Sequence, residues 1–128
     1  SYVCVIGGYK GDLDPKQTLR YHAGTEIIEE EGWLNEARSF STAASVDGEI
    51  FAIGGHTDAG YKDAVESYDT SSSGNYWFER SSMSTPRSHI TCAVVDDVIY
   101  VFGGQNNDKL KLVEKYDPAT DVEINVVE

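Results

Sequence analysis

The chain has 128 residues, room for one domain, and carries 10 Lys+Arg against 22 Asp+Glu, a formal net charge of −12. That balance excludes a nucleic-acid backbone or an anionic membrane surface as the main partner, since both attract basic patches. Hydrophobic residues at 40% and aromatics at 11% exclude a disordered tail, and no apolar run approaches the ~18 residues of a spanning helix. No charged-then-apolar leader opens the chain, and two cysteines do not make a disulfide scaffold. A folded, acidic, cytoplasmic protein is the expectation.

In chain order, short runs rich in Val, Ile, Tyr and Phe, bounded by Gly, Asp, Asn or Pro, predict strands. The first three cover residues 2–8, 17–22 and 26–31. Four more are expected at 40–46, 49–54, 63–69 and 76–80, and a last four at 89–95, 98–103, 111–117 and 121–127. Asp47-Gly48 and Asp96-Asp97 sit between apolar runs and read as hairpin turns. No stretch holds a helical period, so the fold class is all-β with about 11 strands.

The strands repeat. Glycine pairs Gly7-Gly8, Gly54-Gly55 and Gly103-Gly104 end apolar runs at intervals of 47 and 49 residues. Ala37-Arg38-Ser39-Phe40 matches Pro86-Arg87-Ser88-His89, and each arginine precedes its glycine pair by 16 residues. Val65-Glu66-Ser67-Tyr68-Asp69 matches Val113-Glu114-Lys115-Tyr116-Asp117, with Tyr21-His22 in the corresponding place of the first unit. Three units follow: 1–36, 37–85 and 86–128.

A glycine pair, then Tyr-Asp, then Trp77, then Pro86-Arg87-Ser88, at a period near 50, resembles the kelch repeat across essentially the whole chain. The resemblance implies four-stranded antiparallel blades of a β-propeller around a channel, of which this chain supplies a little under three. It implies that Gly7, Gly8, Gly54, Gly55, Gly103 and Gly104 lie where backbones crowd. Tyr68, Tyr116 and Trp77 would fill the wedges between blades, and Arg38 and Arg87 would bond loop carbonyls. The third unit departs from the pattern, with Glu123 or Ile124 where tryptophan is expected; the first has Ile28 there and Trp33 in the loop beyond. Propellers close with 4 to 8 blades, so the chain is expected either to belong to a longer parent supplying the missing blades or to self-associate, two copies approaching a six-bladed ring.

Catalytic constellations are not visible. His22, His56 and His89 fall in three different units, and no His-x-x-x-His or Cys-x-x-Cys metal spacing occurs. Cys4 and Cys92 read as free thiols, and the acidic run Glu26, Glu29, Glu30, Glu31 as a solvated edge that discourages strand pairing. No metal or cofactor is expected, and no enzyme, although some kelch-like propellers are copper-radical oxidases or sugar epimerases.

Kelch propellers mostly recognise proteins or peptides through loops on one face. Carried over by position, one loop set is Tyr9, Lys10, His56, Thr57, Gln105, Asn106 and Asn107, with residues 10–15 a longer excursion; the other presents Ser39 and Ser88. Asn106-Asn107 reads equally well as a plain turn. The charge of −12 favours a basic partner segment. In the largest such group the propeller follows BTB and BACK domains and brings substrates to a cullin ubiquitin ligase; actin-binding and F-box-linked kelch proteins read similarly.

Overall fold

The computed structural model describes residues 1–9, 16–71 and 76–126. Lys10, the rest of the 10–15 excursion and the end of the strand expected at 121–127 lie outside the described residues. The first sheet joins β1 (Tyr2–Ile6), β2 (Thr18–His22) and β3 (Ile27–Glu30). The second joins β4 (Thr42–Val46), β5 (Glu49–Ile53), β8 (Val65–Asp69) and β9 (Trp77–Arg80), all antiparallel. A two-residue hairpin, β6 (His56–Thr57) with β7 (Gly60–Tyr61), interrupts it. The third sheet joins β10 (Thr91–Val95), β11 (Val98–Phe102), β12 (Val113–Asp117) and β13 (Val122–Val126). These are the blades of a kelch-type propeller fragment. Thirteen strands are present among the described residues, the eleven expected blade strands plus the small hairpin.

The inner strands begin later than expected, at Thr42 and Thr91 rather than 40 and 89. Phe40 and His89 have φ of 51° and 54°, a left-handed backbone that ends pleating, so a strand cannot run through them. At the other end of these strands, Asp47-Gly48 and Asp96-Asp97 both have positive φ at their two central positions, the twist that two-residue hairpins favour.

Alternation along β5 explains how the middle blade serves two neighbours. Phe51 and Ile53 point one way, into a buried cluster with Val65, Met83, Ile90, Ile99, Val101 and Tyr116 that joins the second blade to the third. Ile50 and Ala52 point the other way and pack with Leu34, Tyr68 and Trp77, with Cys4 and Ile6 of the first blade against them. A sheet covered on both faces needs this near-continuous apolar run. Tyr68, Tyr116 and Trp77 all lie buried in these wedges. Trp77 Nε1 donates to Thr18 Oγ1 across the first wedge at 3.1 Å, so the indole pins the first blade while its ring stays dry.

Near the axis β4 and β10 are adjacent. Thr42 Oγ1 donates to Cys92 Sγ at 3.3 Å, and that thiol donates to Ala43 O at 3.2 Å. Cys4 and Cys92 are both unpaired cysteines. Glu123 faces Tyr116 across β12–β13 as Trp77 faces Tyr68 across β8–β9, so the missing tryptophan of the third unit is a glutamate, and Ile124 points to the opposite side.

Candidate loop-face recognition site

The loops at one end of the blades are anchored by two repeated ion pairs. Arg38 and Arg87 are wholly buried, and each donates from Nη2 to a buried carboxylate, Glu66 at 2.5 Å and Glu114 at 2.6 Å. Arg38 Nη1 also donates to Gly54 O at 3.0 Å and Ala64 O at 2.9 Å; Arg87 Nη1 does so to Gly103 O at 2.9 Å and Leu112 O at 2.8 Å. The carboxylates in turn accept main-chain N–H groups from the segment entering each blade, Asn35 onto Glu66 and Ser84 onto Glu114, both at 2.6 Å. Each fork therefore ties the strand entry, the glycine pair and the third strand of its blade into one unit, using charges satisfied enough to be buried.

Main-chain bonds then sew blade to blade: Gly8 N–H donates to Arg38 O at 3.1 Å, and Gly55 N–H to Arg87 O at 2.9 Å. At Gly54, Gly55 and Gly104 another stretch of backbone comes too close for a side chain. A Cβ at Gly54 would come within 2.7 Å of Arg87 O, and one at Gly104 within 2.4 Å of an Ile90 methyl.

On this frame the expected contact residues fall into different situations. Ser39 and Ser88 are only 2% and 0% exposed, so they do not present their hydroxyls to a partner as expected. Their backbones are zipped to the neighbouring loops, Ser39 to His56 and Ser88 to Gln105, by reciprocal bonds of 2.9–3.1 Å. Ser39 Oγ donates to His56 O, and Ser88 Oγ bonds His89 Nδ1, each at 2.9 Å. Hydrophilic residues cover the last turn of a close backbone approach here, and that geometry is what turns them inward.

His56 sits half-buried in the β6–β7 hairpin with its ring edge-on to Tyr61, 4.9 Å between centroids. Thr57 Oγ1 accepts from Ala59 N–H at 3.2 Å and so shapes that hairpin's turn. Asn106 Nδ2 donates to Pro86 O at 3.0 Å, and Asn107 has φ 88°, so this pair forms a turn whatever else it does. Tyr9 is 68% exposed at the end of the first glycine pair.

Phe40 and His89, the residues directly after the two buried serines, were not among the expected contacts. Their left-handed backbone swings both rings outward. Phe40 is 49% exposed, and its ring lies 4.2 Å from that of His89 at 14°. Tyr9 extends the row, 6.3 Å from Phe40 at 27°. Three blades thus contribute one ring each to a stacked, solvent-facing row. His89 N–H donates to Phe40 O at 2.9 Å, fixing two of its members through the main chain. The matched triplets Arg38-Ser39-Phe40 and Arg87-Ser88-His89 carry the signal for this row, but alternation alone reads their third residues as the start of a strand. Glu66 and Glu114 were also not singled out; their 48-residue repeat inside a strand is the trace of a buried carboxylate.

Elsewhere the perturbed groups are structural. The Tyr68 hydroxyl donates to Glu31 at 2.6 Å and is pushed up to about 12, mainly by burial. Tyr116 donates to Asp121 at 2.5 Å and rises further for the same reason, while its hydrogen bond holds Asp121 low. Burial also pushes the Cys4 thiol up. Among the described residues no three His, Cys, Asp or Glu side chains converge as metal ligands. Among the described residues no helix is long and apolar enough to cross a membrane.

The chain is 30% identical over 122 residues to Kelch-like protein 33 of Homo sapiens, covering 91% of this chain and 22% of that protein. It is 28% identical over 116 residues to Beta-scruin of Limulus polyphemus, covering 85% and 13% respectively. An F-box/kelch-repeat protein of Arabidopsis thaliana is 34% identical over 82 residues, 63% of this chain and 21% of that one. The chain therefore spans about a fifth or less of the length of these curated relatives. The family model for the Kelch motif matches residues 37–84 and 86–122, the stretch holding both arginine–glutamate forks, and the chain belongs to the kelch-repeat family.

Proposed function

We propose that the chain is a non-catalytic protein-recognition module whose partner docks on the loop face described above. The observation that carries this reading is the row of exposed rings at Tyr9, Phe40 and His89, two of them held in a costly backbone conformation by a rigid scaffold. Side chains that are apolar, exposed and fixed in position favour association, because little rotamer freedom is lost on binding. The flanking loops with His56, Thr57, Gln105, Asn106 and Asn107 supply polar contacts around the row.

In the fuller reading the module belongs to a cytoplasmic BTB-kelch adaptor that presents substrates to a cullin ubiquitin ligase; similarity to Kelch-like proteins 33 and 26 supports it. A role on actin or another cytoskeletal polymer is the second reading, which the likeness to Beta-scruin favours. In either case further blades or a second copy cover the outward faces of the first and third blades.

The test uses the chain as bait, with paired substitutions at opposite ends of the blades. Phe40→Ser with His89→Ser removes the captured partner, whereas Asp47→Lys with Asp96→Lys, at the far hairpin turns, leaves it bound. The reverse pattern would place recognition on the other face. Cullin-dependent turnover of the captured partner supports the first reading, and cosedimentation of the chain with filamentous actin the second.

A further inference from the structure

We propose that the open edge of β1 is a strand-addition site for an extended segment of a partner polypeptide, with a large apolar side chain opposite Cys4. The site is separate from the loop face and does not rest on that reading. The first sheet holds three strands where the other two blades hold four, and β1 pairs with β2 on one side only among the described residues. Gly7 N–H donates to Gln17 O and Ala23 N–H to Ser1 O, so alternation gives Val3 and Val5 the bonds to β2. Tyr2, Cys4 and Ile6 turn their main-chain groups to the open edge, a template for a further strand. Their counterparts in the second blade, Glu49, Phe51 and Ile53, pair there with Val46, Ala44 and Thr42 of β4.

A cleft of about 300 Å³ runs beside that edge, between Tyr2, Cys4 and Ile6 of the first blade and Ala43, Ser45 and Ile50 of the second. In the next wedge the matching strand is present: β4 lies against β10, and the Cys92 thiol bonds Thr42 and Ala43. Size selects the occupant. Ala44 stands opposite Phe51 and Ala93 opposite Tyr100, small against large. Cys4 is itself the small member of such a pair, so the residue across from it needs bulk to fill the wedge to interior density. The chain's own inner strands carry alanine at that place, and a second copy would leave the cleft unfilled.

The test titrates the isotopically labelled chain with acetyl-Lys-Val-Thr-Leu-Thr-Val-Lys-amide, whose valines and leucine share one face of a strand. Binding should shift the amides of Tyr2, Cys4, Ile6, Ala43 and Ser45 and slow hydrogen exchange at the first three. Alanine in place of the leucine should weaken binding about ten-fold. N-methylation of the leucine removes a ladder donor and should abolish binding. Cys4→Phe restores the large partner on β1 and should reverse the order, the alanine peptide then binding better. Equal affinities for the three peptides, shifts confined to Phe40 and His89, or an unchanged order in a folded Cys4→Phe chain would each overturn the proposal. Protection of Tyr2, Cys4 and Ile6 that rises with chain concentration, without peptide, would give the edge to a second copy and overturn it too. Partner capture through Phe40 and His89 is read separately and is untouched by any of these results.

Discussion

Glu123 occupies the place that Trp77 fills one blade earlier, and the exchange leaves an acid in a wedge built for an indole. Neither carboxylate oxygen has a hydrogen-bond partner among the described residues. Burial, with the nearby Glu114 charge added, pushes its value up to about 8 from 4.5. Folding thus favours the protonated form, so its stabilising contribution is complete below about 4.5 and is lost as pH rises through about 8. Urea denaturation should show stability falling across that window. Glu123→Gln, which cannot ionise, should flatten the fall and raise the midpoint at the alkaline end; identical pH profiles would contradict the assignment.

At the scale of the blade, two devices recur. One is the arginine–glutamate fork, which is buried and therefore fragile when halved. Arg87→Met should destabilise by about 3–5 kcal/mol, since Glu114 is left charged without its main partner. Adding Glu114→Leu should restore much of that loss, and a double-mutant cycle in urea measures the coupling. The other is the aromatic wedge. Trp77→Ala should cost ~3–5 kcal/mol through lost packing and the lost bond to Thr18. The wedge between the first and second blades is less full than its neighbour. Cys4 stands where the second blade has Phe51, beside a cleft of about 300 Å³ lined also by Tyr2, Ile6, Ala44 and Ile50. Cys4→Leu should therefore raise the melting temperature, by about 0.5–2 kcal/mol in stability.

For the whole molecule, the two terminal faces matter most. By register, Val3, Val5 and Ile28 share the outward face of the first blade, and Val95, Phe102 and Ile124 that of the third; all six are exposed. In the middle blade the corresponding positions include Ile50, Ile53 and Trp77, which are buried against its neighbours. The open faces therefore carry the chemistry of two halves of an inter-blade wedge, the kind of surface that a closed ring hides. The isolated chain is expected to associate as concentration rises, by light scattering coupled to size exclusion. Val5→Glu with Ile124→Glu should give a folded monomer. A wild-type chain that stays monomeric throughout would show these faces to be tolerated in water.

The blades were legible in the sequence because glycine pairs, Val-Glu-x-Tyr-Asp strands and Pro-Arg-Ser entries recur with local periods that need no partner to be read. The kelch resemblance also placed Tyr68, Trp77 and Tyr116 in the wedges, where they are buried. Tertiary structure alone decided which loop side chains reach solvent. Ser39 and Phe40 are neighbours, yet a left-handed backbone and a loop bonded across from His56 bury the first and expose the second. It also decided that Glu66 and Glu114, charged residues that a linear reading leaves in water, are interior partners of distant arginines. Both outcomes depend on contacts between segments far apart in the chain, and local periodicity carries no record of those.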